Sequence, residues 1–367
     1  MNKNKHLYAV LLAGGGGTRL WPKSRDNTPK QFLKLTGKQS MMQIAAERIN
    51  RLVDWSQVIV VTNKKYVSEV AKQLPEVLKE NIIAEPSKKD TALAMLVGAL
   101  YAKSKDKNAV VINAASDHIV NNLKEFDRVM NKAVETAEKH HYLITVGITP
   151  TYPTSAFGYI KVGKEIKKLD RDLSLFKVDS FTEKPKLATA AAFISTGRYF
   201  WNANMYVWST KEIQKSFDKH MPSMHKLTKH LEKLKSTEFH QALEEVYEQA
   251  EAISIDYAIS EKADNLVLIP GDFGWNDVGD WKVVYQLGKK DNSGNVILGE
   301  SGEIQTLTQK AYGNLIHGNH RLIALYGVKD LIVVDTEEIL LICPKDNGQD
   351  VKKLVNQLKE EGREKYL

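Results

Sequence analysis

Leu7–Ala13 is an apolar run of strand length that breaks off into four consecutive glycines, Gly14 to Gly17, followed at once by Thr18 and Arg19. An unbroken apolar run is the pattern of a strand buried on both faces, and buried parallel strands need helical crossovers between them. Glycines after such a strand let the backbone turn sharply and bring its N–H groups against an anion. The chain is thereby directed to an α/β fold with a candidate phosphate loop at the carboxyl end of its first strand.

The following residues keep that rhythm. Strand patterns at Val58–Thr62, Asn81–Ala84 and Ala109–Ala114 alternate with helical patterns at Met41–Leu52, Tyr66–Leu74 and Thr91–Ala102. The alternation predicts a mixed, mostly parallel sheet with helices on both faces and ligands at the carboxyl ends of the strands. Tyr142–Trp208 reads as a continuation of the sheet with a helix at Leu187–Ser195, and helices dominate Thr210–Gln249. After about Asp291 short β segments take over, closed by an amphipathic helix, Asp350–Glu361, with apolar Val351, Leu354, Val355 and Leu358 at helical spacing. The expected division is a catalytic domain over 1–290 and a small β-rich domain with a terminal helix over 291–367.

Composition narrows the function classes. A single cysteine, Cys343, excludes an intramolecular disulfide and a cysteine-rich zinc site, and its apolar surroundings predict a core position. The ten histidines show no paired metal spacing. No apolar run is long enough to span a bilayer, and Met1–His6 lacks a signal-peptide core, so a cytoplasmic protein without a membrane partner is expected. The net charge of +7 is spread over solvated helix faces such as Lys226–Lys235 without interleaved aromatics, which argues against a nucleic-acid partner.

Two familiar phosphate loops fail on their own spacing. A dinucleotide fingerprint needs a third glycine where Arg19 stands and an acid where the second strand ends at Thr62 and Asn63. A Walker A loop needs Gly-Lys followed by Ser or Thr, and Gly37-Lys38 is followed by Gln39. The full run, Ala13-Gly-Gly-Gly-Gly-Thr-Arg-Leu-Trp-Pro-Lys-Ser-Arg25 and then Pro29-Lys30-Gln31-Phe32, instead resembles the opening motif AGGxGTRLWPxSRxxxPKQF of the sugar nucleotidyltransferases, in their mannose-1-phosphate guanylyltransferase branch. The resemblance implies a Rossmann-like, GT-A-like catalytic fold. It also implies that Ala13, Gly14, Gly15, Gly16, Gly17 and Thr18 hold the nucleotide, while Arg19 and Lys30 bind the triphosphate and stabilise departing pyrophosphate.

Further segments agree. Asp117, in Ser116-Asp117-His118 past the fourth strand, and Asp277, in Gly274-Trp-Asn-Asp-Val-Gly-Asp-Trp281, are two carboxylates of the kind Mg²⁺ takes alongside water and phosphate, and the family's metal-binding acids occupy the matching positions. Thr182-Glu183-Lys184-Pro185 is similar to the family's EKP motif, with Glu183 on sugar hydroxyls and Lys184 on phosphate. Ser155–Ile160 is similar to TGYGYI, with Gly158 against the sugar, and Trp201–Tyr206 to WNSGMF, with Asn202 as a sugar-binding amide. Glu85–Ala94 is similar to EPxxRNTAPA, which brings Asp90 and Thr91 into the nucleotide set, and Ser116, just past the fourth strand, is expected to join them. Lys89, Asp90, Leu93, Ala156, Ala203 and Asn204 depart from those patterns. The segment Asn314–Asp346 is like the short left-handed β-helical tail of compact bacterial forms, with no appended isomerase domain and a possible homodimer contact.

A sugar 1-phosphate is already an anionic nucleophile at neutral pH, so the absence of a Ser-His-Asp or Cys-His arrangement does not count against an enzyme. The expected reaction joins GTP and mannose 1-phosphate with Mg²⁺. The alternatives are another sugar phosphate or nucleotide on the same fold, or a nucleotide-sugar-binding regulatory subunit.

Overall fold

The computed structural model describes residues 3–15, 18–299 and 304–367. The chain falls into two compact units, one built from residues 1–14, 46–116 and 120–275, the other from 15–45, 117–119 and 276–367. Both are assembled from separated stretches of sequence. The two-residue strands β5 (Ile119–Val120) and β11 (Trp275–Asn276) stand at joins between those stretches.

The first unit holds a nine-stranded sheet: β1 (Leu7–Ala13), β2 (Val58–Asn63), β3 (Ile82–Glu85), β4 (Val110–Ala115), β6 (Leu143–Ile148), β7 (Tyr159–Lys168), β8 (Ser174–Thr182), β9 (Tyr199–Ser209) and β10 (Leu266–Gly271). Their order is β3-β2-β1-β4-β9-β6-β10-β8-β7, and β9 and β8 run against the rest. The expected mixed, mostly parallel sheet is therefore present, with β3, β2, β1 and β4 as its parallel core. Strands β1, β2, β4 and β6 are buried almost without interruption, which is why they read as continuous apolar runs rather than alternating ones.

Helix α3 (Asp90–Lys105) packs over β1, β2 and β4, and α4 (Leu123–Lys139) over β4, β6, β9 and β10. The core around α3 takes in Val10, Ile59, Val111, Tyr206 and Trp208 from the sheet and Phe217, Phe239 and Tyr247 from the helical segment 210–249. Asn202 lies inside the eleven-residue strand β9.

In the second unit, short strands stack in two sheets. Strands β12 (Val296–Gly299), β14 (Leu315–Gly318) and β16 (Leu331–Asp335) are parallel, with β17 (Leu340–Pro344) antiparallel at their edge; β13 (Thr306–Gln309) and β15 (Ile323–Tyr326) pair in parallel. Successive coils are tied by stacked asparagines. Asn295 Oδ1 accepts from the side-chain amide of Asn314 at 3.0 Å, and Asn314 Oδ1 accepts from the Leu331 N–H at 2.9 Å. The terminal helix α10 (Val351–Glu360) buries Val351 and Val355 as its periodicity predicts. Cys343 corrects an expectation. It lies on β17 partly exposed rather than in the core, and the burial it does have pushes its thiol pKa up. Among the described residues, no helix is long and apolar enough to cross a membrane.

Candidate active site

The first unit gathers its polar residues where parallel strands end. Gly14 and Gly15 follow β1, Glu85 ends β3 and Ser116 follows β4. Gly16 and Gly17 lie outside the described residues, and of Thr18 only the backbone is described, as the start of a 3₁₀ turn. The Ala13 carbonyl accepts from the Thr62 hydroxyl at 2.9 Å, and the Ser116 hydroxyl donates to the Leu12 carbonyl at 2.7 Å. Both contacts fix the end of β1, from which the glycine loop springs. Glu85 is buried, and a Cβ on Gly14 would stand 3.2 Å from its Oε2. Burial pushes the Glu85 carboxyl up to about 7, even though its Oε1 accepts from the Tyr247 hydroxyl at 2.9 Å.

Asp90 opens α3 at a φ of 64°, with its carboxylate accepting from the Thr91 N–H at 2.7 Å. Asn204 on β9 has a φ of 54°. Asp and Asn are the side chains that accept left-handed backbone most readily after glycine. Two of the departures from the family pattern thus keep residue types suited to the backbone they occupy. Thr91 ties α3 to a distant segment: its hydroxyl accepts from the Ile255 N–H at 2.9 Å.

That segment carries a residue the sequence reading missed. Asp256, buried in a π-helical turn, accepts through one oxygen from Asn202 Nδ2 and from the Tyr206 hydroxyl, each at 2.9 Å. Burial and the Glu183 charge push its carboxyl up to about 6 against those two hydrogen bonds. Its signal in the sequence was a lone acid inside the apolar stretch Ile253–Ile259. Asn202 also receives the Asn204 N–H on its side-chain oxygen at 3.1 Å and donates its own backbone N–H to the Gly158 carbonyl at 2.9 Å. Gly158 leaves room for the Glu183 carboxylate, since a Cβ there would stand 2.5 Å from Glu183 Oε2 and force that side chain to shift. Glu183 is in turn 2.6 Å from Lys184 Nζ. The structure therefore brings Gly158, Glu183, Lys184 and Asn202 together, adds Asp256 and Tyr206, and seats them at the carboxyl end of β6, where Asn202 pairs with Gly147.

The second unit holds the charged residues expected to act on phosphate. Lys30 is buried, and its ammonium donates to Asp117 Oδ2 at 2.8 Å and to the Asp277 carbonyl. Burial alone would raise the Asp117 carboxyl; the Lys30 ammonium, with His118, overturns that and holds it at about 2. The Asp277 carboxyl is raised, by burial first, with Lys30 and Arg19 opposing and the Asp117 and Asp280 charges adding to the rise. Two carboxylates that feel each other's charge, one of them kept ionised, suit a divalent cation that completes its shell with water and phosphate. Among the described residues no group of three acidic, histidine or cysteine side chains is placed to hold a metal by itself.

The family described as Nucleotidyl transferase matches residues 8–294, and the MannoseP isomerase/GMP-like beta-helix domain matches 309–358. The chain belongs to the nucleotidyl transferase family. Within it, the chain is 36% identical to a mannose-1-phosphate guanylyltransferase of Escherichia coli, over 98% of this chain and 77% of that protein. It is 37% identical to one of Salmonella montevideo, over 98% of this chain and 76% of that protein. A solved structure from Thermus thermophilus, titled a mannose-1-phosphate geranyltransferase, superposes with a TM-score of 0.84 at 28% identity, covering 96% of this chain and 99% of that one. This nucleotidyl transferase is accordingly an enzyme whose catalytic fold and β-helical tail both have counterparts among known proteins.

Proposed function

We propose that the chain is a mannose-1-phosphate guanylyltransferase, which joins GTP to α-D-mannose 1-phosphate and releases pyrophosphate and GDP-mannose. The observation that carries this reading is the buried Lys30 held between Asp117 and the Asp277 backbone, in a chain whose relatives bear that name. An ammonium so placed is a preorganised phosphate ligand parked on its counter-ion, and phosphoryl-type transfer is mostly positioning and charge neutralisation.

In this reading the anionic oxygen of the sugar phosphate attacks the α-phosphorus of GTP, and the bond to the bridging oxygen of pyrophosphate breaks. No general base is called for, because the nucleophile is already ionised at neutral pH. Arriving phosphates draw Lys30 off Asp117, and Lys30 and Arg19 then meet the charge that gathers on pyrophosphate. Asp117 and Asp277 would hold Mg²⁺, which when bound neutralises the facing phosphate oxygens. Gly158, Glu183 and Asn202 would select the hexose, with Asp256 and Tyr206 fixing the Asn202 amide, and Lys184 would leave Glu183 for the sugar phosphate. The backbone of residues 13–18, with Asp90, Thr91 and Ser116, would hold the nucleotide.

The test is pyrophosphate release across the five common nucleoside triphosphates, each offered mannose, glucose and heptose 1-phosphates. Rapid release confined to GTP with mannose 1-phosphate is expected. Release with another pair would replace the specificity, and silence with every pair would sink the reading.

A further inference from the structure

The stretch Asp277–Trp281 joins a carboxylate of the phosphate centre to a hydrophobic core. Val278 sits at a φ of 48°, a left-handed conformation that a β-branched side chain opposes on steric grounds. Such a residue persists only where its surroundings over-determine it. Here the surroundings are plain. The Val278 side chain is wholly buried with Leu20, Ile119, Trp281 and Leu315, and its N–H donates to Asn276 Oδ1 at 2.7 Å. On the far side, a Cβ on Gly279 would stand 3.0 Å from Asp277 Oδ2, so that oxygen lies directly over the turn.

Trp281, also fully buried, reaches from the same core to the segment that carries Arg19 and Lys30. Its indole N–H donates to the Trp21 carbonyl at 2.9 Å, and the Trp21 indole donates to the Tyr366 carbonyl at 2.7 Å. Through these two hydrogen bonds the tryptophans pin segments that carry charged groups of the centre. The apolar residues that close this core come from the β-rich tail: Val296, Leu315, Ile332, Val334, Val351 and Val355.

We propose that Val278 and Trp281 are positioning residues, through which the core of the β-rich tail aims the Asp277 carboxylate and keeps it in register with Lys30. The tail is then part of the catalytic framework rather than an appendage to it. The inference rests on the reading of Asp277 as a carboxylate for cation and phosphate given above. Glycine at 278 accepts the positive φ without strain and removes the buried side chain, so it relieves one cost while adding a cavity, and it frees the turn.

The experiment compares Val278→Gly, Val278→Ile and Trp281→Phe with the wild-type full chain. It measures melting temperature, kcat, KM for GTP, and Mn²⁺ affinity by electron paramagnetic resonance with GDP-mannose present. Val278→Gly is expected to lower kcat by about tenfold or more, with KM for GTP little changed, and to weaken Mn²⁺ severalfold. Val278→Ile, which keeps the buried anchor, restores both. Trp281→Phe, which loses only the indole donor, shifts kcat and Mn²⁺ affinity in the same direction and serves where Val278→Gly does not fold. Wild-type Mn²⁺ affinity and kcat in both Val278→Gly and Trp281→Phe overturn the proposal and leave the two side chains as core alone. The Mn²⁺ titration needs no turnover, so a wild-type chain that is silent in the pyrophosphate assay still decides whether Val278 aims Asp277.

Discussion

Asp117 and Asp256 begin from the same intrinsic acidity and end at opposite extremes. Burial pushes both carboxyls up. Beside Asp117 stands the Lys30 ammonium, and the carboxyl falls to about 2; beside Asp256 stand two neutral donors and the Glu183 charge, and it climbs to about 6. One nucleotidyl transferase thus holds a half-buried acid and a buried one in opposite electrostatic settings. The first is a permanent anion, suited to a cation and to trading its lysine for phosphate. The second is held as a hydrogen-bond acceptor for Tyr206 and for Asn202, the amide that the proposed function assigns to a neutral sugar. Glu85 extends the series: with one tyrosine hydroxyl and no cation, burial carries it to about 7.

The sharpest way to break this comparison is to remove the lysine. Lys30→Ala should cut turnover by about a thousandfold while the chain still folds, and the Asp117 carboxyl should move up toward the Asp256 value in a carbon-13 carboxyl titration. An unmoved Asp117 would show that Lys30 is not what sets it.

Glu85 offers the next largest effect, on stability. Its folded pKa is raised from 4.5 to about 7, so the folded state holds the proton more tightly, and stability falls as pH rises between those values. Glu85→Gln, which can still accept from Tyr247, should therefore gain up to about 3 kcal/mol over wild type at pH 8 and almost nothing at pH 4. Denaturant midpoints at the two pH values decide it. Asp256→Asn should follow the same sign over a narrower window, from 3.8 to about 6, with a gain somewhat below that of Glu85→Gln. A gain that is as large at pH 3.5 as at pH 8 would mean packing, not charge, is responsible. The smallest change is expected at Gly158. A methyl there meets Glu183 Oε2, and Gly158→Ala should raise KM for the sugar phosphate roughly tenfold with little effect on KM for GTP.

Much of this was legible in the chain itself. The parallel strands announce themselves because burial on both faces leaves unbroken apolar runs, and α10 because its apolar residues recur at three and four. Strand ends moved by a residue or two, as with β3, which begins at Ile82 because Asn81 still belongs to the preceding 3₁₀ turn, its backbone N–H donating to the Leu78 carbonyl at 2.8 Å. The loop after β1 stood out because few backbones need four glycines followed by an arginine, whereas Asp117 and Asp277 were marked only by the resemblance to the sugar nucleotidyltransferase motifs. Asp256 did not stand out, since its importance comes from Asn202 and Tyr206, some fifty residues away in sequence.

What the sequence by itself determined, then, is local: which segments are strands, which faces are apolar, and which residue types are equipped for phosphate. Only the tertiary structure decided that Lys30 rests on Asp117 across 87 positions, and that residues 15–45 share a compact unit with the β-rich tail. The physical reason is that periodicity records whether a side chain is buried, which depends on near neighbours along the chain. An ion pair or a shared core depends on which distant segments the fold brings within a few ångströms, and no single segment carries that information.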